Sequence, residues 1–367
     1  MNLFYNNYLS KNTANPLEEM LKELSLFKQT KYCYNYIKKQ VPGKEESEVL
    51  RQAEISSASF RQAFEFYKSA QLTYVSTSPL LYSYCINNLA KGLIYLYNPT
   101  LGKYFKKHGF QVSDENIKNN LLDSMVTIEK SGPPTAILKL LGNHVVEKQN
   151  LSFKRMIEHI PEVSDIYLKA TNNSSSTAKW NNQGYYEMKI ENWEEESKAK
   201  KEELEYFHLV GSYYDKTQTY YFNVNMVGME VIRNTNSFNN FYYKDSLILP
   251  IKLEEGIHSI NIMFYSYLII MSYGMIVRYN ADKWEEFIDP KVSSEATLIN
   301  ESLIQCVNVF ISHVHKILFG YTYEIAKYSD QKVKEVINNS TEDIMKNINN
   351  QIKSEARRSG QKAYLPW

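Results

Sequence analysis

At 367 residues, with 43% apolar residues and a formal net charge of +1, the chain can hold two domains, or one domain with an insertion, around a sizeable core. The near-zero charge excludes a global field that recruits nucleic acid or an anionic membrane. Cys33, Cys85 and Cys306 are widely spaced, form no CxxC pair and point to no disulfide framework; they read as small buried hydrophobes in a reducing cytosol.

The opening MNLFYNNYLSKN lacks a charged region followed by an apolar core, so no secretory signal is expected. Asn15-Pro16 begins an amphipathic helix over 16–40, with leucines at 17, 21, 24 and 26, and Pro42-Gly43 breaks it. Residues 45–75 form a second helix or a pair, with Leu50, Phe60, Phe64 and Tyr67 on its apolar stripe. The central stretch is 78–97, SPLLYSYCINNLAKGLIYLY. Ser78-Pro79 is a helix start and Asn98-Pro99 a stop. A helix apolar on all sides is buried. Its few polar side chains include Tyr84, Asn88, Lys91 and Tyr95, which share one face. That face is either a satisfied polar seam against a neighbouring helix or the lining of a pocket.

Lys103 to Gly109 is a basic turn, and a helix is expected over 114–130. Ser131-Gly132-Pro133-Pro134 is a firm turn, followed by short helices at 134–141 and 151–159. Near residue 165 the composition changes. TNNSSST (171–177) is a polar linker or loop, and EEESKAKKEELE (194–205) a solvated charge run. From 206 to 253 the pattern is β-like: Tyr220, Phe222 and Val224 alternate with polar neighbours, and 229–232 and 247–253 suit further strands.

Residues 260–277 carry no charge and meet the length test for a membrane span. Asn261, Gly274 and several Ser and Tyr lower their hydrophobicity, and no flanking charge bias sets an orientation. The stretch therefore reads as a second buried core helix. A short helix with Trp284 and Phe287, a long helix over 296–323 and a weaker one over 331–353 follow. The end, EARRSGQKAYLPW, is basic and then aromatic, and is expected to dock on the body of the chain or on a partner. The fold class is mainly α (α+β): two helical blocks, 1–170 and 258–330, forming one core, with a small β-rich insertion within 171–257 and a tail from 331.

The chain has no GxxxxGK[ST] loop, no GxGxxG and no GxSxG elbow, and no cofactor is expected. His313 and His315 point to different faces of a helix, which argues against a metal site. Helical nucleases of the HEPN type pair an Arg, which steadies transition-state charge, with a His four to six residues on, which moves a proton. The nearest fits here depart from that pattern. Only three residues separate Arg155 from His159; Lys103 and His108 have the spacing with a Lys, and Asn308 and His313 have it with no charge. The catalytic candidates under that reading are His108, His159 and Arg155.

The run RQAFEFYKSAQLTYVSTSPLLYSYCINNLAKGLI (61–94), the HGF at 108–110 and the block YLIIMSYGMIVRYNADKWEEFID (267–289) together resemble the YaaC-like proteins. Family members tend to carry a Pro after the Arg-Tyr; here position 281 is Ala, so that turn is expected to differ. The resemblance implies a bacterial cytosolic protein and carries over no catalytic residue. It raises the expectation that Asn88, Lys91, His108 and Arg278 face one another as a phosphate or carboxylate site. The leading expectation is a non-catalytic binding or regulatory protein, acting with a protein partner or as a homo-oligomer in a bacterial stress or anti-phage system, with no membrane. One alternative is a metal-independent, HEPN-like RNase or other nucleic-acid-processing enzyme, with nucleic acid as its partner. The other is a nucleotide or phosphate sensor using Lys91 and Arg278.

Overall fold

The computed structural model describes residues 9–113, 115, 117–141, 148–173, 175, 177–180, 186–189, 209–214, 219–224, 246–248 and 262–325. The chain divides into two compact units, Met1–Glu324 and Ile325–Trp367; the described residues belong to the first, apart from Ile325. The expected charge run at 194–205, the strand at 229–232, the helix at 331–353 and the aromatic C-terminus lie outside the described residues.

Strand β1 (Leu9–Thr13) leads into helix α1 (Pro16–Leu24). Asn15 caps α1: its Oδ1 accepts from the Glu18 N–H at 3.4 Å, and its Nδ2 donates to Glu18 Oε2 at 2.9 Å. The single helix expected over 16–40 is interrupted by a 3-10 turn, Ser25–Lys28, before α2 (Thr30–Gln40). That turn swings Phe27 into the core, where its ring meets Tyr32, Tyr36, Phe60 and Phe319 at centroid distances of 5.0, 5.2, 5.3 and 5.8 Å. Tertiary packing of one aromatic ring outweighs the continuous helical pattern.

Helix α3 (Glu46–Gln71) buries Val49, Ala53, Ser56, Phe60, Ala63, Tyr67 and Ala70. The alternating steps of four and three make a coiled-coil-like seam, and α4 (Ser78–Tyr97) lies against it. Leu50, expected on that stripe, faces solvent instead. The close approach requires Gly92: the Phe60 ring leaves no room for a Cβ there, and Ser56 Oγ donates to the Gly92 carbonyl at 2.9 Å.

After a 3-10 segment, Pro99–Lys106, come β2 (Phe110–Gln111), β3 (Met125–Ile128), α5 (Pro133–Leu140), β4 (Gln149–Ser152), α6 (Phe153–Ile157) and α7 (Ser164–Thr171). The three strands form an antiparallel sheet, with Phe110 opposite Ile128 and Met125 opposite Ser152. The helix expected over 114–130 is therefore corrected to a loop and a strand. Side chains take the backbone donors there: Lys118 N–H donates to Ser124 Oγ at 2.9 Å and Leu122 N–H to Asn120 Oδ1 at 2.7 Å. The helix expected over 151–159 likewise begins only at Phe153, after β4, with Ser152 as its cap.

Gly109 (φ +74°) and Gly132 (φ +143°) pack backbone against backbone. The Gly109 carbonyl accepts from the Glu129 N–H at 2.9 Å. The glycines of the His108-Gly109 and Ser131-Gly132-Pro133 motifs thus share one steric cause.

The insertion holds β5 (Thr177–Trp180), β6 (Tyr186–Lys189), β7 (Leu209–Tyr214), β8 (Thr219–Val224) and β9 (Ser246–Ile248). They form an antiparallel sheet in the order β7-β8-β6-β5-β9. The expected strand around Tyr220–Val224 is β8.

Helix α8 (Ile262–Tyr279) runs antiparallel to α4: Tyr267 donates to Asn87 Oδ1 at 2.8 Å, and Gly274 sits against Ser83. Helices α9 (Ala281–Ile288) and α10 (Ala296–Phe319) complete the second block. Both α8 and α10 are long and apolar enough to cross a membrane, yet most of each is buried inside the fold. One hydrophobic core takes Phe60 and Leu93 from the first block and Leu268 and Phe310 from the second. The fold is mainly α with small antiparallel sheets.

The helix expected to reach 323 stops at Phe319. Gly320 (φ +76°) adopts the left-handed cap and donates to the Lys316 carbonyl at 2.8 Å. Strand β10 (Tyr321–Ile325) follows and pairs with β1. A tyrosine pair reaches the last carbonyls of α10. Tyr97 donates to Ile317 O at 2.8 Å; Tyr36 lies 3.2 Å from Leu318 O and 2.6 Å from the Tyr97 hydroxyl. Tyr97→Phe is expected to cost about 1 kcal/mol, read as a lower urea midpoint with an unchanged slope.

Candidate functional site

Asn88 and Lys91 lie half-buried on one face of α4. Asn88 Nδ2 donates to the Tyr84 carbonyl at 2.9 Å, a bond within the helix. His108 is exposed beside Gly109, and Arg278 is exposed at the end of α8, its guanidinium 5.1 Å from the Tyr279 ring centroid. Because α8 is antiparallel to α4, Arg278 lies beyond the Pro79 end of α4. Lys91 is twelve residues from Pro79, or roughly 18 Å along the axis at 1.5 Å per residue. The structure brings Asn88 and Lys91 onto one face and sets Arg278 apart from them.

The RNase candidates Arg155 and His159 meet at a third residue. Glu158 Oε1 lies 4.0 Å from Arg155 Nη1 and 3.6 Å from His159 Nδ1, and that nitrogen is also 2.7 Å from the Arg155 carbonyl. The His159 ring is wholly buried beside Tyr265, so a phosphodiester cannot reach it in this arrangement. Nearby in sequence, burial pushes the Glu162 carboxyl up to about 7, against a partly offsetting backbone hydrogen bond. Burial likewise holds His313 down at about 4, with its Nδ1 2.9 Å from the Val309 carbonyl.

Two places on the described residues group side chains in unusual surroundings. The first is the face around α9. Trp284 and Phe287 are buried, while Asp282, Glu285, Glu286 and Asp289, with Ile288 and Val292, line a shallow cavity of about 450 Å³. Trp284 Nε1 donates to the Val75 carbonyl at 3.0 Å, which pins the 72–77 loop to α9. The loop presents Leu72 at 90% exposure and Tyr74 at 87%; Tyr279 and Val292 are also exposed.

The second is a cage where β1 and β10 meet. Glu23 comes from the last turn of α1, His315 from the last turn of α10, Tyr321 and Tyr323 from alternate positions of β10, and Lys11 from β1. Tyr321 Oη lies 2.6 and 2.7 Å from the two Glu23 oxygens, His315 Nε2 2.7 Å from Oε2, and Tyr323 Oη 3.0 Å from Oε1. Burial raises the Glu23 carboxyl, but the bonds from Tyr321, His315 and Tyr323 outweigh it and hold it below its ordinary range. Burial lowers His315, against the opposing pull of Glu23. It also raises Tyr321 to about 12, with the Glu23 bond and charge adding to the shift. At neutral pH the set is a carboxylate, a neutral imidazole donating through Nε2, and two neutral phenols. Lys11 Nζ lies 3.9 Å from Glu23 Oε1, 3.6 Å from the Tyr321 ring centroid and 5.6 Å from that of Tyr323. An anion with aromatic walls is a receptor for a cation. With its oxygens already accepting three donors and its pKa depressed, Glu23 is a poor general base.

Sequence reasoning missed this cage. Its one local signal is the alternation of Tyr321 and Tyr323 just past Gly320, which puts both rings on one face of a strand. Among the described residues, no group of three or more His, Cys, Asp or Glu side chains could hold a metal ion.

A mainly helical chain with one shared core and a small inserted sheet is the class that the geometry defines. The family model for YaaC-like Protein matches residues 25–318. The chain belongs to that family. Of the cage residues, His315 lies inside the matched span, and Lys11, Glu23, Tyr321 and Tyr323 flank it. No curated protein and no solved structure matches the chain.

Proposed function

We propose that this chain is a non-catalytic binding protein that works in a protein complex in the cytosol. The observation that carries the reading is the face around α9: Leu72 and Tyr74 stand almost fully in water on a loop that Trp284 holds in place. Exposing two large apolar side chains on a fixed loop makes physical sense where a partner covers them. The carboxylates of Asp282, Glu285, Glu286 and Asp289 on and just after α9, the helix that Trp284 ties to this loop, favour a partner with a basic rim. The three cysteines are buried and free, which supports a reducing compartment. No observation favours the RNase or nucleotide-sensor readings over this one.

The test is sedimentation of the tagged chain in an extract of its source cell. The wild type is expected to run as a larger species than Leu72→Ser/Tyr74→Ser. Both substitutions are on the surface, so each is expected to change stability by less than about 0.5 kcal/mol. Equal sedimentation of the two chains would remove the reading.

A further inference from the structure

We propose that the cage of Glu23, Tyr321 and Tyr323 is a recognition site for alkylammonium cations, and that Lys11 is its tethered occupant in the resting chain. The site has the parts such a ligand needs. Glu23 is an ionised carboxylate whose orientation is fixed by three donors, Tyr321, Tyr323 and His315. The tyrosine rings form walls, and Lys11 Nζ stands 3.6 Å from one centroid, well inside the range for attraction to a ring face. The walls are packed: Tyr321 and Tyr323 lie against each other at 5.8 Å, and His315 stacks on Phe319 at 4.7 Å.

The occupant is held less firmly than the cage. Lys11 has a side chain 53% exposed, and its ammonium is 3.9 Å from Glu23, beyond hydrogen-bonding distance. It enters on β1, a strand that pairs with β10, the strand bearing both tyrosines. A cation carried on an extended segment would therefore reach the rings and pair with the strand beside them. This geometry favours the lysine of an extended protein segment over a free amine, although the ammonium chemistry is the same.

The experiment uses the full chain and its Lys11→Ala and Lys11→Met variants. The probe is n-butylammonium chloride titrated by NMR, with 1-pentanol as an uncharged control. The variants are expected to bind n-butylammonium saturably, with a Kd on the order of 1 mM. The wild type is expected to bind at least tenfold more weakly, and 1-pentanol not at all. Adding Tyr321→Leu to Lys11→Ala is expected to abolish binding. A second arm titrates the pentapeptide Leu-Ser-Lys-Asn-Thr against Lys11→Ala. Tighter binding than n-butylammonium assigns the site to a lysine on a chain; equal binding assigns it to a free amine. Absence of saturable n-butylammonium binding to both Lys11 variants, with melting unchanged, overturns the proposal. So does equal binding to variant and wild type. Neither result bears on the face around α9, which shares no residue with the cage.

Discussion

Gly132→Ala is expected to destabilise the protein by about 3 kcal/mol or more, a large share of the roughly 5–15 kcal/mol that holds a folded domain together. Two costs add. The first is backbone strain: Gly132 sits at φ +143° and ψ 179°, a region essentially closed to residues with a Cβ. The second is steric: a Cβ there would collide with the Gly109 backbone, and Gly109 itself has φ +74°. Neither strand of this contact can yield. Gly109 is tied to Glu129 through a 2.9 Å hydrogen bond, and Gly132 caps the buried helix α5, with Ala136 N–H donating to the Gly132 carbonyl at 3.0 Å. The measurement is urea unfolding of Gly132→Ala beside Gly43→Ala. Gly43 has open space around it, so its variant is expected within about 0.5 kcal/mol of wild type. Equal midpoints for both variants would show that the glycine pair bears no strain.

Glu162→Gln is expected to stabilise the protein at pH 8 by roughly 2–3 kcal/mol, and not at all at pH 4. Glu162 has its folded-state pKa raised by burial from 4.5 to about 7. Between those values the unfolded chain has released the proton and the folded chain has kept it. Stability is therefore fully present below pH 4.5 and is lost as pH rises towards 7. Glutamine resembles the protonated acid and carries no such cost. His313 has the opposite sign. Its folded pKa is depressed by burial from 6.5 to about 4, so its contribution is present above 6.5 and lost as pH falls. From about 4.5 to 6.5 the two slopes oppose each other. The wild type is then flatter with pH than Glu162→Gln, whose advantage grows from pH 4.5 and levels off above 7. A difference between the two chains that stays constant from pH 4 to 8 would refute the assignment.

The legible parts of this fold are those punctuated in the sequence. Ser78-Pro79 and Asn98-Pro99 bound α4 at the positions expected, and the uncharged run around Leu268 is a buried helix, α8. The β character of the insertion shows in the alternation of Tyr220, Phe222 and Val224. Failures came where a few side chains overrode the local pattern. Phe27 broke a helix by entering an aromatic cluster, and Ser124 and Asn120 took backbone donors that a helix needs. The candidate site was harder to see for a different reason. Glu23 and Tyr321 are 298 residues apart, and no spacing rule connects them. The polar face of Asn88 and Lys91 was legible from helical periodicity; the separation of Arg278 required the antiparallel direction of α8, which comes from the contact of Gly274 with Ser83.

The pairing of β1 with β10 puts the start and finish of the described fold side by side. A polypeptide whose entry and exit coincide can be re-cut without losing its interior. Joining residue 324 back to residue 9 through a few glycines, and opening the chain at Gly43, where the backbone is exposed, would give a circular permutant with the same helices in a new order. Such a gene would be a compact cassette: a rearranged chain with Lys11, Tyr321 and Tyr323 in one continuous stretch instead of far apart in the sequence.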